Sequence, residues 1–211
     1  MRISLVGMSG SGKSFWSQKL FRYGFLRFCC DDLIAARLSP ELGKQADSVA
    51  AVGRWMGFPF EPGYKGRESA YLACEMEVMT ELLQQLGKNE GGGTEKIVVD
   101  TTGSVIYVGE EMLAKLRNLT TIVHLATPLE IQKVMLEAYV KEPRPVLWRE
   151  IFLKRSDEDD AQALARCYPE LLASREHRYE KLAHVTISYH HHRRAGFGVE
   201  DFLIDAGVGR I

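Results

Sequence analysis

Residues 3–14 read ISLVGMSGSGKS, an apolar run that leads directly into the pattern G-x-x-x-x-G-K-[ST]. The run predicts a buried strand, and the pattern predicts a phosphate-binding loop between that strand and a helix. The glycines let backbone N–H groups converge on phosphates, Lys13 reaches the outer phosphates, and the Ser14 hydroxyl can bind Mg2+. The positive end of the following helix dipole adds to the attraction. We therefore predict a nucleoside triphosphate site formed by Gly10, Ser11, Gly12, Lys13 and Ser14.

The length and composition are those of one compact domain. The chain has 211 residues, 45% of them apolar, and a formal net charge of -1, so we predict a single domain over residues 1–211. A near-neutral charge gives no field that would attract nucleic acid. No apolar run approaches the ~20 residues that span a bilayer, and the N-terminus lacks a secretory pattern. We expect a cytoplasmic monomer without membrane or nucleic-acid partners.

The cysteines and histidines give no pattern of a metal site. The four cysteines show no C-x-x-C spacing, so we expect reduced, mostly buried side chains. The run His190-His191-His192 contains possible ligands, but adjacent side chains rarely converge on one ion. We expect this run to be a solvated loop, locally basic because Arg193 and Arg194 follow it.

Apolar runs alternate along the chain with stretches of helical periodicity, which is typical of a parallel sheet covered by helices. We predict an α/β fold of three layers, a P-loop nucleotide-binding fold with a five-stranded parallel sheet. The predicted strands span residues 3–6, 25–29, 97–99, 121–125 and 185–188. The predicted helices span residues 14–23, 68–86, 105–117, 129–140 and 161–182, with Pro169 offering a break in the last.

Two segments interrupt this alternation. Residues 39–66 combine prolines and glycines with four aromatic residues, which is too aromatic for a flexible linker and predicts a cap over a substrate pocket. In residues 141–149, Arg144 lies between Pro143 and Pro145, which forbid helix continuation and predict a mobile lid. An arginine on a lid can neutralise charge on the phosphoryl group that is being transferred, because its guanidinium group can contact two phosphate oxygens at once.

Polar residues follow the third predicted strand. Ligands of open α/β sheets gather beyond the carboxyl ends of the strands. Asp100 ends the apolar run there, which is the position of a Walker-B acid. Such an acid holds Mg2+ beside the Ser14 hydroxyl. The alternative is a helix N-cap or a turn carboxylate. Thr101 and Thr102 would either contact a substrate or cap the next helix.

A pair of carboxylates, Asp31 and Asp32, follows the second predicted strand. A kinase needs one carboxylate to orient the acceptor hydroxyl and take its proton, and a second can support the metal. Asp31 is the stronger candidate for the first role, and Asp32 is the candidate metal ligand. The alternative for Asp32 is a helix cap that pairs with Arg37.

Taken together, these elements resemble the shikimate kinase family. The similarity runs from Met1 to about Ser188 and includes the P-loop, the acidic pair and Thr127-Pro128. The lid stretch RPVL (residues 144–147) is similar to the family's Arg-Pro-Leu-Leu. The stretch LASREHRYEKLA (residues 172–183) is similar to its L-x-x-R-x-x-x-Y-x-x-x-A helix. The lid and the terminal helix, in this order, are the specific part of the resemblance.

The resemblance implies roles for individual residues. Asp31 would be the carboxylate at the acceptor hydroxyl, Arg144 the lid arginine on ATP, and Arg175 a ligand of the substrate carboxylate. Gly103 would end the family's Gly-Gly-Gly turn. Without the resemblance, the expectation for Arg175 is a surface ion pair with Glu176 or Glu180.

This sequence departs from the family on the acceptor side. The family's turn reads Thr101-Thr102-Gly103 here, and the first acid of its Asp-x-Asp reads Cys29. Leu72 stands where an arginine would grip the substrate carboxylate, and Arg67, one helical turn earlier, is the candidate replacement. Removing one partner of a buried charge pair costs about 2 to 5 kcal/mol. The acceptor could therefore differ from shikimate.

The residues thus predict a Mg2+-dependent kinase that transfers the ATP γ-phosphate to a hydroxyl group, and the resemblance implies that the acceptor is shikimate or a related small metabolite. A carboxylate on that metabolite would suit Arg175. The alternative is a nucleotide-binding regulatory or pseudo-kinase module that has lost phosphotransfer. A GTPase switch is disfavoured because the chain contains no Asn-Lys-x-Asp motif.

Overall fold

A computed structural model describes residues 1–42, 48–88 and 95–209, so residues 43–47 of the predicted cap lie outside it. Five parallel strands form one sheet in the spatial order β2-β3-β1-β4-β5. They are β1 (Arg2–Val6), β2 (Leu26–Cys29), β3 (Ile97–Asp100), β4 (Thr121–Leu125) and β5 (Val185–Ile187). The predicted α/β P-loop fold with a five-stranded parallel sheet is confirmed.

Helices cover both faces of the sheet. They are α1 (Lys13–Arg22), α2 (Cys30–Leu42), α3 (Val49–Met56), α4 (Tyr64–Lys88), α5 (Glu110–Leu119), α6 (Leu129–Lys141), α7 (Asp160–Leu182) and α8 (Val199–Asp205). In the part of the chain that the structure describes, no helix combines the length and apolar character needed to cross a membrane.

The sheet has a hydrophobic core on each face, because alternate side chains of a strand point in opposite directions. Ile3 and Leu5 of β1 pack with Trp16 of α1 and Phe202 of α8. The other core is larger and contains side chains of α2, α4 and α7. Strands that are buried on both faces explain the nearly continuous apolar runs in the sequence.

Two helix predictions need correction. The helix expected over residues 105–117 is instead a 3-10 turn, Val105–Tyr107, followed by α5. The break falls at Gly109, whose φ of +105° is incompatible with a helix. By contrast, α7 continues through Pro169. Tyr168 and Leu171 are buried on either side of that proline, so packing outweighs the lost hydrogen bond.

The cap and the lid contact each other. The described part of the cap contains α3 and the stacked rings of Phe58 and Phe60, 5.4 Å apart, which lie against the larger core. At Gly53 in α3, an added Cβ would overlap the carbonyl group of Pro143 and the Cα of Arg144. Glycine at position 53 therefore allows the lid backbone to lie directly on the helix.

Candidate active site

The loop between β1 and α1 has the backbone that a phosphate cradle requires. Gly7, Gly10 and Gly12 have φ values of +143°, +84° and +112°, which glycine adopts without strain. A Cβ at Gly7 would lie 2.7 Å from the carbonyl oxygen of Leu125 on β4. The loop is thus held close to the sheet, with Gly12 immediately before α1.

Lys13 is buried within this loop. Its Nζ donates to the carbonyl oxygens of Gly7 at 2.8 Å and Met8 at 2.9 Å. Burial lowers its pKa, while the nearby carboxylates of Asp100 and Asp31 act in the opposite direction. The ammonium group is therefore poorly solvated, which strengthens its attraction to any anion in the adjacent cavity.

Asp100 lies at the end of β3 and is 1% exposed. Its Oδ2 accepts hydrogen bonds from Ser17 Oγ at 2.8 Å and from the Arg27 guanidinium at 3.0 Å. Oδ1 has no hydrogen-bond partner among the described residues. The carboxylate is thus neither a helix N-cap nor a turn carboxylate, because its partners lie on α1 and β2. An orphaned, buried carboxylate oxygen fits a group that binds Mg2+ through water.

The paired carboxylates have different surroundings. Asp31, in the first turn of α2, lines a cavity beside the P-loop, and burial raises its pKa to about 6 against the opposing effect of Lys13. Asp32 is not part of that cavity lining. Its side chain is 67% exposed and lies 3.8 Å from the Arg27 guanidinium. Arg37 pairs with Glu81 of α4 instead, so the alternative of an Asp32–Arg37 cap is not observed.

One cavity of about 190 Å³ brings most of the predicted site residues together. Its lining combines P-loop residues with side chains from α2, α4, α7 and the lid. Asp32, Asp100, Arg67 and Ser11 are not part of this lining. The predicted residues that do line it are Gly10, Gly12, Lys13, Ser14, Asp31, Gly103, Arg144 and Arg175.

Arg175 is buried at the cavity wall and is only 4% exposed. One guanidinium nitrogen donates to the carbonyl oxygen of Leu147 at 2.7 Å, and the guanidinium carbon lies 5.6 Å from the centre of the Tyr107 ring. Its Nε has no partner within the described ranges. The surface ion pair with Glu176 or Glu180 is therefore wrong. A buried cation with unused donors beside a cavity is suited to an anionic ligand.

The lid is fastened at its far end to the start of α4. The Tyr64 hydroxyl donates to the carbonyl oxygen of Val146 at 2.6 Å and accepts from the Trp148 N–H at 3.1 Å. The buried Glu68 carboxylate accepts from the Arg149 N–H at 2.9 Å. These bonds hold the backbone just after Arg144, whose side chain lines the cavity.

Arg67 does not reach the cavity. Its guanidinium donates to the carbonyl oxygens of Met56 at 2.9 Å and Pro62 at 3.1 Å, and it lies 3.6 Å from Glu61. Side chains of a helix point toward its N-terminus, which directs Arg67 at the cap. The structure therefore gives no support to Arg67 as a replacement for the arginine missing at Leu72.

The turn after β3 is bonded within the protein. The Thr101 hydroxyl donates to the Leu5 carbonyl at 2.6 Å, and the Thr102 hydroxyl donates to the Glu75 carboxylate. Both threonines are buried, so neither contacts a substrate in this arrangement. Sequence reasoning missed Glu75. Its signal was a carboxylate in the apolar stripe of α4, between Tyr71 and Val78.

The loop at residues 190–194 contacts the P-loop through Arg193, so the solvated-loop prediction is wrong for the buried His192 and holds for the exposed His190. Arg193 donates to the carbonyl oxygens of Ser11 at 2.9 Å and Gly10 at 3.2 Å. His192 is buried and accepts from Trp16 Nε1 at 3.1 Å. Burial lowers the pKa of His192 to about 4, so the ring is neutral near pH 7. Arg193 is a second residue that sequence reasoning missed.

A P-loop joined to a parallel sheet, with a cap and a lid around one cavity, defines a kinase-like P-loop fold. Among similar solved structures is the shikimate kinase from Acinetobacter baumannii in complex with shikimate. That protein is 20% identical, with a TM-score of 0.56 over 98% of this chain and 89% of the other. The shikimate kinase from Bacteroides thetaiotaomicron is 14% identical, with a TM-score of 0.56 over 97% of each chain.

These similarities establish a shikimate kinase-like fold, which confirms the resemblance noted in the sequence at the level of the fold. They extend over nearly the whole chain. No protein-family model matches the sequence, and no curated protein is significantly similar to it. The chemistry must therefore be inferred from the residues of this chain.

Proposed function

We propose that this protein is an ATP-dependent kinase that phosphorylates a hydroxyl group of a small hydroxylated metabolite. One observation carries the proposal: a single cavity is lined by Lys13, Arg144, Arg175 and Asp31. Phosphoryl transfer needs cations around the transferred group and a carboxylate at the acceptor hydroxyl. Arg175 would bind a carboxylate of the acceptor, which favours shikimate or a related hydroxy acid.

In the proposed reaction, the P-loop binds the phosphates of ATP and Asp31 accepts the proton of the acceptor hydroxyl. The hydroxyl oxygen bonds to the γ-phosphorus while the bond from that phosphorus to the β–γ bridging oxygen breaks, and ADP leaves. Lys13 and Arg144 offset the charge on the transferred group. The lid and cap exclude water, which would otherwise hydrolyse ATP.

The residues of the site fit Mg2+. The Ser14 hydroxyl would bind the ion directly and Asp100 would act through water, using the oxygen that lacks a protein partner. Asp32 remains a weaker prediction as a metal ligand because it lies outside the cavity lining and beside Arg27. When bound, Mg2+ would supply positive charge that offsets part of the negative charge of the ATP phosphates.

The acceptor side favours a second candidate function, a nucleotide-binding module without phosphotransfer. Leu72 replaces the expected arginine, and Arg67 is directed at the cap instead. Such a module would bind ATP and leave its phosphates intact.

The proposed kinase is expected to act as a cytoplasmic monomer, and light scattering can check the oligomeric state.

The decisive experiment measures ADP formation by the purified protein with ATP, Mg2+ and a panel of small hydroxylated acids and sugars, beginning with shikimate. The kinase proposal expects ADP only with an acceptor, together with a phosphorylated product detected by mass spectrometry. Calorimetry in the same buffer measures ATP binding independently. ATP binding without transfer to any member of the panel would favour the non-catalytic module.

A further inference from the structure

Glu75 is a buried carboxylate that the reaction proposed above does not use. It lies on α4, is 0% exposed, and accepts hydrogen bonds from two hydroxyls of one turn. The Thr102 hydroxyl donates to Oε1, and the Ser104 hydroxyl donates to Oε2 at 2.7 Å. Burying a carboxylate is unfavourable unless donors compensate for the lost water. Both of its oxygens are engaged by the same short segment.

The opposite side of this turn is held by α7. The Tyr179 hydroxyl donates to the carbonyl oxygen of Gly103, the residue between the two hydroxyl donors. Gly103 itself lines the cavity, and a Cβ built there would lie 3.6 Å from both Arg175 Nη1 and the Ser9 backbone nitrogen. The cavity wall at Gly103 is thus fixed between a carboxylate on one helix and a hydroxyl on another.

Ser104 also connects Glu75 to the cavity by a second route. Tyr71 lies one helical turn before Glu75 on α4 and lines the cavity, and the Ser104 hydroxyl is close enough to act on the pKa of the Tyr71 phenol. Displacing Ser104 would therefore disturb the adjacent Gly103 backbone and change the surroundings of the Tyr71 hydroxyl. Gly103 lies beside Arg175, and Tyr71 is close enough to Asp31 for that carboxylate to raise its pKa.

We infer that Glu75 is a positioning residue for the acceptor: it acts through Thr102 and Ser104 to fix the cavity wall formed by Gly103 and Tyr71. The consequence for acceptor binding rests on the proposed kinase function, whereas the consequence for the turn does not. The P-loop has other supports: Gly7 packs closely on the Leu125 carbonyl of β4, and the Ser11 carbonyl accepts from Arg193. Loss of the Glu75 carboxylate should therefore affect acceptor binding and spare ATP binding.

The test compares Glu75→Ala and Glu75→Gln with Glu77→Ala and Glu77→Gln, which alter an exposed carboxylate of the same helix. The kinetic expectation for Glu75→Ala is an acceptor KM raised about tenfold at an unchanged ATP KM, since a buried hydrogen-bonded pair is lost. Glu75→Gln should recover much of this loss, because its amide oxygen still accepts one hydroxyl. Equal changes in both KM values would overturn the inference.

Hydrogen exchange tests the turn without any assumption about the reaction. In Glu75→Ala, amides of residues 101–107 should exchange about tenfold faster than in the wild type, while residues 7–14 keep their protection. Unchanged exchange at residues 101–107, or faster exchange throughout the chain, would contradict the inference. If the wild type phosphorylates no acceptor, the kinase proposal fails, and these exchange data still decide the role of Glu75.

A second pair of variants keeps the inference testable if Glu75→Ala does not fold. Thr102→Ser retains the hydroxyl that donates to Glu75, whereas Thr102→Val replaces it with a methyl group of similar size. The inference expects faster exchange at residues 101–107 in Thr102→Val and wild-type exchange in Thr102→Ser. Identical exchange in the two variants would overturn it.

Discussion

The phosphate side and the proposed acceptor side of the cavity use different groups of the protein: mainly backbone on the first and side chains on the second. At the phosphate end, eight consecutive residues supply backbone groups and one lysine, and Arg193 holds two of their carbonyl oxygens. On the proposed acceptor side, single side chains come from α2, α4 and α7, namely Asp31, Tyr71 and Arg175. Backbone recognition tolerates side-chain changes, whereas side-chain recognition does not. Divergence can thus alter the acceptor while nucleotide binding persists.

The largest expected effect is on the phosphate end. Lys13→Ala removes a buried cation from the transferred phosphoryl group, and phosphotransfer should fall by about 10³- to 10⁵-fold, as for other cations that stabilise this transition state. The measurement is kcat/KM for ATP in the acceptor-dependent assay. Lys65→Ala, an exposed lysine of α4, is the matched control and should leave kcat/KM unchanged. Retained turnover in Lys13→Ala would remove the P-loop lysine from the reaction.

The next effect concerns the proposed base at the acceptor end. Asp31→Asn should lower kcat by about 10²- to 10⁴-fold, which is the usual contribution of general base catalysis. Because the pKa of Asp31 is about 6, the wild-type rate should rise with pH through that value as the carboxylate loses its proton. The residual activity of Asp31→Asn should lack this rise. A rise that persists in the variant would assign the ionisation to another group.

A smaller effect is expected where the cap contacts the lid. Gly53→Ala would introduce a methyl group that overlaps Pro143, so the lid should move off α3 and take Arg144 with it. We expect kcat for phosphotransfer to fall about tenfold. The rate of ATP hydrolysis without acceptor should rise relative to phosphotransfer, since a displaced lid admits water. Gly66→Ala is the matched control, because a Cβ in that helical position has open space. Equal kinetics for both variants would show that the contact has no role in closure.

The smallest effect is on stability. Burial raises the pKa of Glu75 to about 7, although the Thr102 and Ser104 hydroxyls and the Arg175 charge oppose the shift and Asp31 adds to it. Between pH 4.5 and 7 the unfolded chain ionises this group while the folded chain keeps it protonated. Its contribution is thus fully present below about pH 4.5 and is lost as the pH rises through 7.

The loss should amount to roughly 3 kcal/mol at most. Glu75→Gln removes the ionisation, so melting temperatures of the wild type and of this variant should diverge as the pH rises from 5 to 8. We expect a relative decrease of about 5 °C for the wild type. Parallel curves for the two proteins would show that Glu75 does not titrate in this range.

The contrast between the two ends also determined what the sequence could predict. The P-loop is a contiguous motif with its strand and helix attached, so residues 7–14 could be assigned in one reading. Asp31 was proposed because it follows a predicted strand, and Arg144 because it lies between two prolines. Glu75 was missed because its partners follow it by 27 and 29 residues, and their approach depends on how α4 packs on the sheet.

The direction in which helical side chains point explains why Arg67 does not line the cavity as the sequence suggested. Spacing in the sequence suggested that Arg67 could take the place of an arginine one turn later. The observed side chain points back toward the cap, where the carbonyl oxygens of Met56 and Pro62 accept its hydrogen bonds. The sequence places Arg67 and position 72 close together on one helix. Their angular positions around the helix axis, however, determine which side chain can face the cavity.

The contact between Arg193 and the P-loop has a consequence for how the protein is made. Ser11 and Arg193 are 182 residues apart, so the ribosome completes the phosphate-binding loop long before the arginine that steadies it. A nascent chain that has reached β5 already carries every P-loop residue, yet the carbonyl oxygens of Gly10 and Ser11 still lack this partner. The phosphate-binding loop is therefore synthesised well before its contact with Arg193 can form.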